Sequence, residues 1–537
     1  TGAALGGACA LKYLCVGLVA GPVLVAMLAA ALVRRRWRAV GHVAAVFLTL
    51  RKDEETRARF TAVLLATTPA VIYLSRLAMV EMGELFYLVL ALLWLREWLA
   101  APAWRTALAL GAAAGGACAM KYLGVGLVAG PVLAAMLAWA LVRRRWRTLA
   151  HVAAAAGVAL LLFSPWLVRN TISTGNPVFP LATSVFGRGH WSAQSEQRWL
   201  DGHSAQAHPP VPVPPGWQTP TRIPDRMDNL VRNFATFSLF GYVMMFVGGL
   251  GLVMMLIDRR GFSAWDFTLA AVLAMQLAVW SAFTRDMPWR FIVLAMAPMC
   301  LLAGQALAKL SQVVSNPFRP GSPPPATPWG RVPATAVLIA AAAVNLITAV
   351  NLVSAPRLVD GDGALIPPRP VEEMTLLPRA AKPLLIGQGQ GFYYPAGTLY
   401  ATAFDENPLA AMVEKGLTAP EIARQFKARG VTHLIVNWCE IWRLGGTYGY
   451  SPILTAGLFD CAQRGLQPDL AVLAGLRAEG MTKADELRLE PRTAPAASPP
   501  AKPLTWAPFH PPADWPVFTI YTFPWTPAEA LASQPAK

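Results

Sequence analysis

The sequence has little charge and few acidic residues. Charged residues make up 14% of its 537 positions, and 30 Asp and Glu stand against 46 Lys and Arg. In soluble domains about a quarter of all residues are charged, so this composition excludes an ordinary soluble protein. The sequence instead contains long uncharged runs rich in Leu and Ala, and apolar runs of about 20 residues can cross a bilayer core. They are too long and too apolar for barrel strands, which predicts a mainly α, polytopic membrane helix bundle.

The excess of basic residues does not indicate a nucleic-acid partner. The net charge is +16, which in a soluble protein would suggest nucleic acid. Here most Lys and Arg stand in short clusters at the ends of apolar runs, where they set the orientation of membrane helices. We therefore expect membrane lipids as partners and no nucleic acid.

Cysteine is scarce, and no secretory signal peptide is visible. Of the 6 cysteines, Cys439 and Cys461 lie in the polar C-terminal region, and a disulfide between them stays open if that region is outside the cytoplasm. The chain begins at Thr1 inside an apolar run, so we expect a fragment at the N-terminus.

The apolar runs predict about 9 to 10 membrane spans. They are 13–33, 60–75, 79–98, 107–122, 124–142, 149–168, 236–257, 265–283, 289–309 and 333–353. Basic clusters face the cytoplasm, and "RRRWR" at 143–147 places one inner loop. From there the orientation puts loop 169–235 outside, the Pro-rich linker 312–332 inside and residues 370–537 outside.

The first 50 residues nearly repeat a later segment. "LKYLCVGLVAGPVLVAMLAAALVRRRWR" at 11–38 matches "MKYLGVGLVAGPVLAAMLAWALVRRRWR" at 120–147. A functional repeat of the transporter kind predicts a second copy of the intervening helices as well, and none is present. We interpret residues 1–50 as a truncated duplicate of segment 110–154, from a partial duplication or an assembly artefact, and residues 51–355 as the helix bundle.

A few charged residues do not follow the rule that basic residues face the cytoplasm, and they are predicted at the outer face. The cations are Arg76, Lys121, Arg169, Arg285 and Arg290, and the carboxylates are Glu81 and Glu84, one turn apart on one helix face. Ionisable residues at helix ends inside a membrane are functional candidates, although long basic side chains also snorkel to the interface without a partner. Collected on one side, this set favours a shared anionic ligand.

Four stretches resemble a known family. They are "SRLAMVEMGELFYLVLALLWLREWL" (75–99), "GGACAMKYLGVGLVAGPVL" (115–133), "SPWLVRNTISTGNPVFPL" (164–181) and "RDMPWRFIVLAMAPMCLLAG" (285–304). They are similar to helices and loops of bacterial glycosyltransferases of the GT-C type, in the family 39-like group of protein O-mannosyltransferases and lipid A aminoarabinose transferases. The resemblance covers about residues 50–355.

The resemblance implies an inverting transfer of a sugar from a polyprenyl-phosphate donor to a glycan, lipid or protein acceptor at the outer face of the inner membrane. No tightly bound cofactor is expected, and a divalent metal stays open. Cations would bind the donor phosphate by charge-assisted hydrogen bonds, and a carboxylate would act as general base. The candidates are Lys121 and Arg290 first, then Arg169, Arg76 and Tyr122, for the phosphate; Glu81 and Glu84 for catalysis; and Asn176 and Trp191 in the outer loop.

The sequence departs from the family at one point. Such enzymes carry a catalytic Asp in the first outer loop, whereas no acidic residue precedes Asp53 here, and Asp53 falls in an inner loop. We therefore expect impaired activity. Two other functions remain open: a lipid or sugar transporter or flippase, and a non-catalytic envelope membrane protein.

The polar regions predict a surface helix and a small domain. "WSAQSEQRWL" (191–200) has the pattern of an amphipathic helix, and the spacing of His190, His203 and His208 fits no zinc pattern. After Pro368, strand–helix alternation predicts a small extracytoplasmic α/β domain, with strands at "AKPLLIG", "TLYATAF", "VTHLIVNW" and "VFTIYTF" and a helix at "APEIARQFKARG". "GQGQG" (387–391) is a turn, because Phe392 stands where a dinucleotide motif requires glycine.

Overall fold

The computed structural model describes residues 52–76, 80–203, 242–257, 262–283, 289–315, 332–354, 377–488 (except 379, 390, 392 and 393) and 515–525. These residues form two compact units. The first contains the described residues up to Gly187 and those between 242 and 354. The second contains residues 188–203 and those from 377 onward. The predicted duplicate, residues 1–50, lies outside the described part.

The first unit is a helix bundle. Its first helices are α1 (Lys52–Thr67), α2 (Pro69–Arg76), α3 (Val80–Ala100) and α4 (Trp104–Met120), followed by a π-helical turn (Val125–Ala129) that leads into α5 (Gly130–Val142), and by α6 (Leu149–Thr174) and α7 (Thr183–Phe186). Helix α8 (Ala193–His203) belongs to the second unit. The remaining helices of the first unit are α9 (Tyr242–Ile257), α10 (Ala264–Phe283), α11 (Trp289–Ile292), α12 (Met296–Ser315) and α13 (Val332–Ser354). Where the structure describes them, the apolar runs of the sequence therefore lie mostly in helices.

Within the described residues, four segments are long and apolar enough to cross a membrane: Val125–Val142, Trp146–Thr174, Ala264–Phe283 and Arg290–Lys309. Shorter apolar helices occur at Val247–Ile257 and Ala336–Val350. The chain is thus a mainly α, multi-pass membrane protein, as the composition predicts.

The predicted span 60–75 differs from the observed helices. The chain is already helical at Lys52, so most of the polar stretch "RKDEETRAR", predicted as an inner loop, belongs to α1. Helix α1 then ends before Pro69, which has no N–H to donate and whose ring opposes continuation of a helix. The hydroxyl of Thr68 donates to the carbonyl of Leu64 at 2.8 Å at this break. Arg57 is held in α1 by an ion pair with Asp266 of α10 at 2.8 Å.

Small residues allow α4 and α6 to approach closely. A Cβ atom on Gly115 would lie 2.7 Å from the carbonyl oxygen of Ala159, which is closer than van der Waals contact allows. Close backbone approach at glycine and alanine is the usual way in which membrane helices pack. The Gly-rich stretch of α4 is therefore explained by packing against its neighbour.

The second unit is a small α/β fold with a four-stranded sheet in the order β1-β2-β4-β3. Its strands are β1 (Pro383–Ile386), β2 (His433–Asn437), β3 (Thr482–Arg488) and β4 (Pro516–Thr522). Strand β1 pairs parallel to β2, whereas β4 pairs antiparallel to both β2 and β3. Its helices are α8 (Ala193–His203), α14 (Pro408–Glu414), α15 (Ala419–Ala428), α16 (Trp438–Tyr448), α17 (Pro452–Gln463) and α18 (Ala471–Ala478).

Most predicted elements of this unit are present, and one prediction is wrong. "TLYATAF" is not a strand: Leu399 forms only an isolated bridge with Leu384. Cys439 and Cys461 form no disulfide, because each is a buried free thiol. The Sγ atom of Cys461 instead donates to the carbonyl of Asp469 at 3.3 Å.

The chain bends at Gly387, directly after β1. Gly387 has a φ of +78°, and a Cβ there would lie 2.7 Å from the carbonyl oxygen of Asn437. Its backbone N–H donates to the hydroxyl of Tyr450 at 3.1 Å.

Candidate functional site

A buried carboxylate lies where α3 begins and α4 ends. Glu81, in the first turn of α3, is only 2% exposed. Lys121 directly follows α4 and has an extended backbone, with φ −161° and ψ 146°. This change of direction brings the ammonium Nζ within 2.9 Å of Glu81 Oε1. The two residues, 40 positions apart, form the centre of the candidate site.

A second cation and an aromatic ring complete this cluster. Arg290, in α11, places its Nε 3.9 Å from Glu81 Oε1, and 45% of its side chain is exposed. The ring of the next residue, Phe291, lies beneath both cations, 3.6 Å from Lys121 Nζ and 5.1 Å from Arg290 Cζ. Cation–π contacts of this kind stabilise a cation where water is excluded. We call Glu81, Lys121, Arg290 and Phe291 the Glu81 cluster.

Glu84 adds a second carboxylate beside the Glu81 cluster. It lies one turn further along α3 and is fully buried. Both Glu84 and Arg290 interact electrostatically with Lys121. Two carboxylates and two cations thus balance within one region, while Glu81 Oε2 accepts no hydrogen bond from a described residue. Charged groups in a membrane protein are costly unless paired, and they commonly mark functional positions.

The residue after Lys121 connects the cluster to the end of α6. The hydroxyl of Tyr122 accepts a hydrogen bond from Asn170 Nδ2 at 2.6 Å and donates to the carbonyl of Phe179 at 3.1 Å. Arg169 interacts electrostatically with Tyr122 and lies over the ring of Trp166, with Cζ 5.2 Å from the ring centroid. Lys121 and Tyr122 are therefore adjacent in the chain and face two different sets of partners.

Asn176 organises the loop after α6. It is fully buried, and its Nδ2 donates to the carbonyls of Leu181 at 2.8 Å and Gly187 at 3.1 Å. Its Oδ1 accepts from the backbone N–H of Val178 at 2.9 Å. These three bonds use both donors of the amide and one acceptor position of its oxygen, so Asn176 shapes the loop.

Trp191 belongs to the second unit. Its Nε1 donates to Asp405 Oδ1 at 2.9 Å, and His190 Nε2 lies 3.1 Å from the same oxygen. Burial alone would raise the pKa of Asp405, but hydrogen bonds from Thr402, Trp191 and His190 outweigh it and hold this pKa below its ordinary value. The predicted surface helix, α8, is thereby attached to the C-terminal fold.

Two predicted residues cannot be placed in the site. Arg76 ends α2, and its side chain lies outside the described residues, as does Arg285. Among the described residues, no group of three or more His, Cys, Asp and Glu could hold a metal ion. His208, one of the three histidines of the outer loop, is outside the described part as well.

The sequence missed Phe291, Asn170 and Trp166 as parts of these constellations. Each lies close in sequence to a basic residue that was predicted for the site. Phe291 follows Arg290, Asn170 follows Arg169, and Trp166 precedes Arg169 by three residues, about one helical turn. An aromatic ring adjacent to a cation in an apolar helix was the signal available for Phe291. The hydrogen bond of Asn170 to Tyr122 gives no local signal, because these residues are 48 positions apart.

Known proteins give limited similarity. A family model described as a domain of unknown function (DUF8201) matches residues 84–294, which is less than half of the chain. No curated protein matches. Among solved structures, the chain is similar to the crystal structure of ArnT from Cupriavidus metallidurans in the apo state, with 16% sequence identity and a TM-score of 0.44 over 75% of this chain and 79% of that chain. Similarity at this level assigns no function, which has to be argued from the site.

Proposed function

We propose that this protein is a membrane glycosyltransferase of the GT-C type, which moves a sugar from a polyprenyl-phosphate donor to an acceptor at the outer face of the inner membrane. The resemblance of four sequence stretches supports the proposal. The observation that carries it is the Glu81 cluster, in which two cations from separate parts of the chain meet one buried carboxylate.

Lys121 and Arg290 are the residues proposed to bind the donor phosphate. Charge-assisted hydrogen bonds from an ammonium and a guanidinium contribute about 1.5–3 kcal/mol each. The 45% exposure of Arg290 makes it accessible to a headgroup, whereas Lys121 is 23% exposed and already bonded to Glu81. A phosphate that binds Lys121 therefore competes with Glu81 for the ammonium. Arg169 lies beyond Tyr122 and would add positive potential.

This competition links donor binding to the chemical step. In the proposed reaction, an acceptor hydroxyl attacks the anomeric carbon, the bond from that carbon to the phosphate oxygen breaks with inversion, and the hydroxyl proton passes to Glu81. Polyprenyl phosphate leaves, and Lys121 and Arg290 stabilise the charge that develops on it. A carboxylate released from its cation is a stronger base than a paired one, since the ion pair favours its deprotonated form.

A transfer assay tests the proposal. The full chain is reconstituted in nanodiscs with a polyprenyl phosphate carrying radiolabelled mannose or 4-amino-arabinose, and with membrane lipid and glycan extracts as acceptors. Loss of a general base predicts that E81Q lowers turnover by about 10²–10⁴. K121Q is expected to raise the KM for the donor. E97Q is the matched control, because Glu97 lies exposed on the same helix.

Turnover of E81Q equal to that of the wild type would exclude Glu81 as the base. Absence of transfer, together with absence of copurifying polyprenyl lipid, would exclude the proposed function and favour a non-catalytic envelope protein. Lipid translocation in proteoliposomes without transfer would identify a flippase. The rate of the wild type also tests the impaired activity expected from the missing first-loop Asp.

A further inference from the structure

The loop between α5 and α6 carries a dense group of positive charges. Arg143, Arg144, Arg145 and Arg147 are all exposed, and none forms an ion pair with a residue that the structure describes. The chain has no acidic residue between Glu97 and Glu196. Among the described residues, the charge of this loop is therefore not balanced by an ion pair, in contrast to that of the Glu81 cluster.

The loop is held in a defined conformation. After α5, the backbone N–H of Arg144 donates to the carbonyl of Leu141 at 3.0 Å and that of Arg145 to the carbonyl of Ala140 at 2.9 Å. This pair of bonds is a Schellman motif, whose left-handed position is usually glycine. Here that position is Arg144, with a φ of +51°. A guanidinium is thus present where the backbone alone would favour glycine.

The position of the loop puts these guanidiniums at the membrane surface. It joins two of the segments able to span a bilayer, Val125–Val142 and Trp146–Thr174. Trp146 is 63% exposed and Trp104 is 53% exposed, as expected for indoles at the level of lipid headgroups. The ring of Trp104 lies 4.4 Å from that of His151, in the first turn of α6, so the neighbouring loop contributes to the same end of the bundle.

We propose that the loop 143–147 binds the phosphate of anionic phospholipid headgroups, with Trp104 and Trp146 at its sides. The planar fork of a guanidinium matches phosphate oxygens, and basic clusters directly beside a membrane helix attract anionic lipids. The loop lies at the opposite end of α5 from Lys121, roughly 27 Å away for 18 helical residues. It is therefore separate from the Glu81 cluster and does not depend on the function proposed for that cluster.

Lipid retention by the purified full chain tests the proposal. The protein is reconstituted in nanodiscs made from equal parts of phosphatidylglycerol and phosphatidylethanolamine, and the lipids retained by the released protein are counted by native mass spectrometry. One guanidinium at an anionic surface is worth about a fivefold change in affinity. The wild type is therefore expected to retain phosphatidylglycerol several-fold above its bulk share, and less so at high salt.

Two variants separate lipid binding from a structural or orientation role. The variant R143Q/R144Q/R145Q/R147Q is expected to lose the enrichment; the charge-matched control K415Q/R424Q/K427Q/R429Q, in the second unit, is expected to keep it. R144G relieves the left-handed strain, so it should be at least as stable as the wild type yet retain several-fold less phosphatidylglycerol. Nanodiscs have two equivalent faces, so a reversed insertion cannot produce this result. Equal enrichment in the wild type and the quadruple variant, or full enrichment in R144G, would overturn the proposal.

Discussion

Replacing Lys121 by methionine would leave Glu81 without its hydrogen-bonding cation, in a position where the carboxylate is 2% exposed. At the observed separation of 2.9 Å, the Coulomb attraction is about 6 kcal/mol for an effective dielectric constant of 20. Two factors reduce the loss. Water screens the partly exposed ammonium, and Arg290, 3.9 Å from the same oxygen, keeps some of the attraction. Breaking a buried pair by removing one partner costs about 3–5 kcal/mol, so we expect about 3 kcal/mol for K121M.

A double-mutant cycle measures the coupling directly. The free energy of unfolding is determined in mixed detergent–SDS micelles for the wild type, K121M, E81M and the double variant. Replacing both partners by apolar groups leaves no unpaired charge, so the double variant should be more stable than K121M, with a coupling energy of about 2–3 kcal/mol. The exposed pair Arg464–Asp460, with an N···O distance of 3.2 Å, is the control and should couple by at most about 1 kcal/mol.

Additive effects of K121M and E81M would refute this reasoning. They would mean that the short distance between Lys121 and Glu81 carries no coupling energy, as in many surface pairs. In that case, competition between a donor phosphate and Glu81 for the ammonium would have no energetic basis either.

Two further predictions concern packing and pH. G115V should destabilise the bundle by about 1–3 kcal/mol, because the new side chain meets the carbonyl of Ala159; an unchanged thermal midpoint would show that α4 and α6 can separate without loss. Asp405 has a folded pKa below the ordinary 3.8, so its contribution to stability is present above that value and is lost as the pH falls through the folded pKa. The thermal midpoint of the second unit should therefore drop on acidification below about pH 4. The variant D405N loses the charge that Trp191 and His190 contact. It should be less stable than the wild type at neutral pH, and its thermal midpoint should not show this drop at low pH.

The helices of the bundle could be predicted because membrane insertion imposes a local rule. A helix that crosses lipid needs a continuous apolar run, and the run is visible without any partner. The polar start of α1 breaks this rule: Arg57 is held by Asp266, which lies in α10 and far away in the sequence. The end of α1 at Thr67, in contrast, was predictable from Pro69 two residues later.

The strands of the second unit were harder to predict than the helices of the bundle, because they depend on pairing with residues far away in the sequence. Strand β3, "TKADELR", has exposed residues at Thr482 and Asp485 and no apolar alternation, so only its ladder with β4 identifies it. The stretch "TLYATAF" has the alternation but is not a strand. Its end turns back at Thr402, whose hydroxyl donates to Asp405 at 2.7 Å, and Asp405 in turn receives the indole N–H of Trp191.

The scarcity of acidic residues in this sequence gives the two charged ends of α5, the Glu81 cluster and the loop 143–147, different binding properties. With so few carboxylates in the bundle, the position of each one decides which cations are neutralised within the protein. Glu81 pairs with Lys121 and lies near Arg290, so an anion that binds Lys121 must compete with an existing partner. The loop 143–147 has no carboxylate within its own stretch of chain, and an anion can bind without displacing one. Binding at the first end should therefore be selective and linked to a change in the protonation or contacts of Glu81, whereas binding at the second should follow surface charge and ionic strength. A lipid phosphate that bound both ends with the same salt dependence would contradict this distinction.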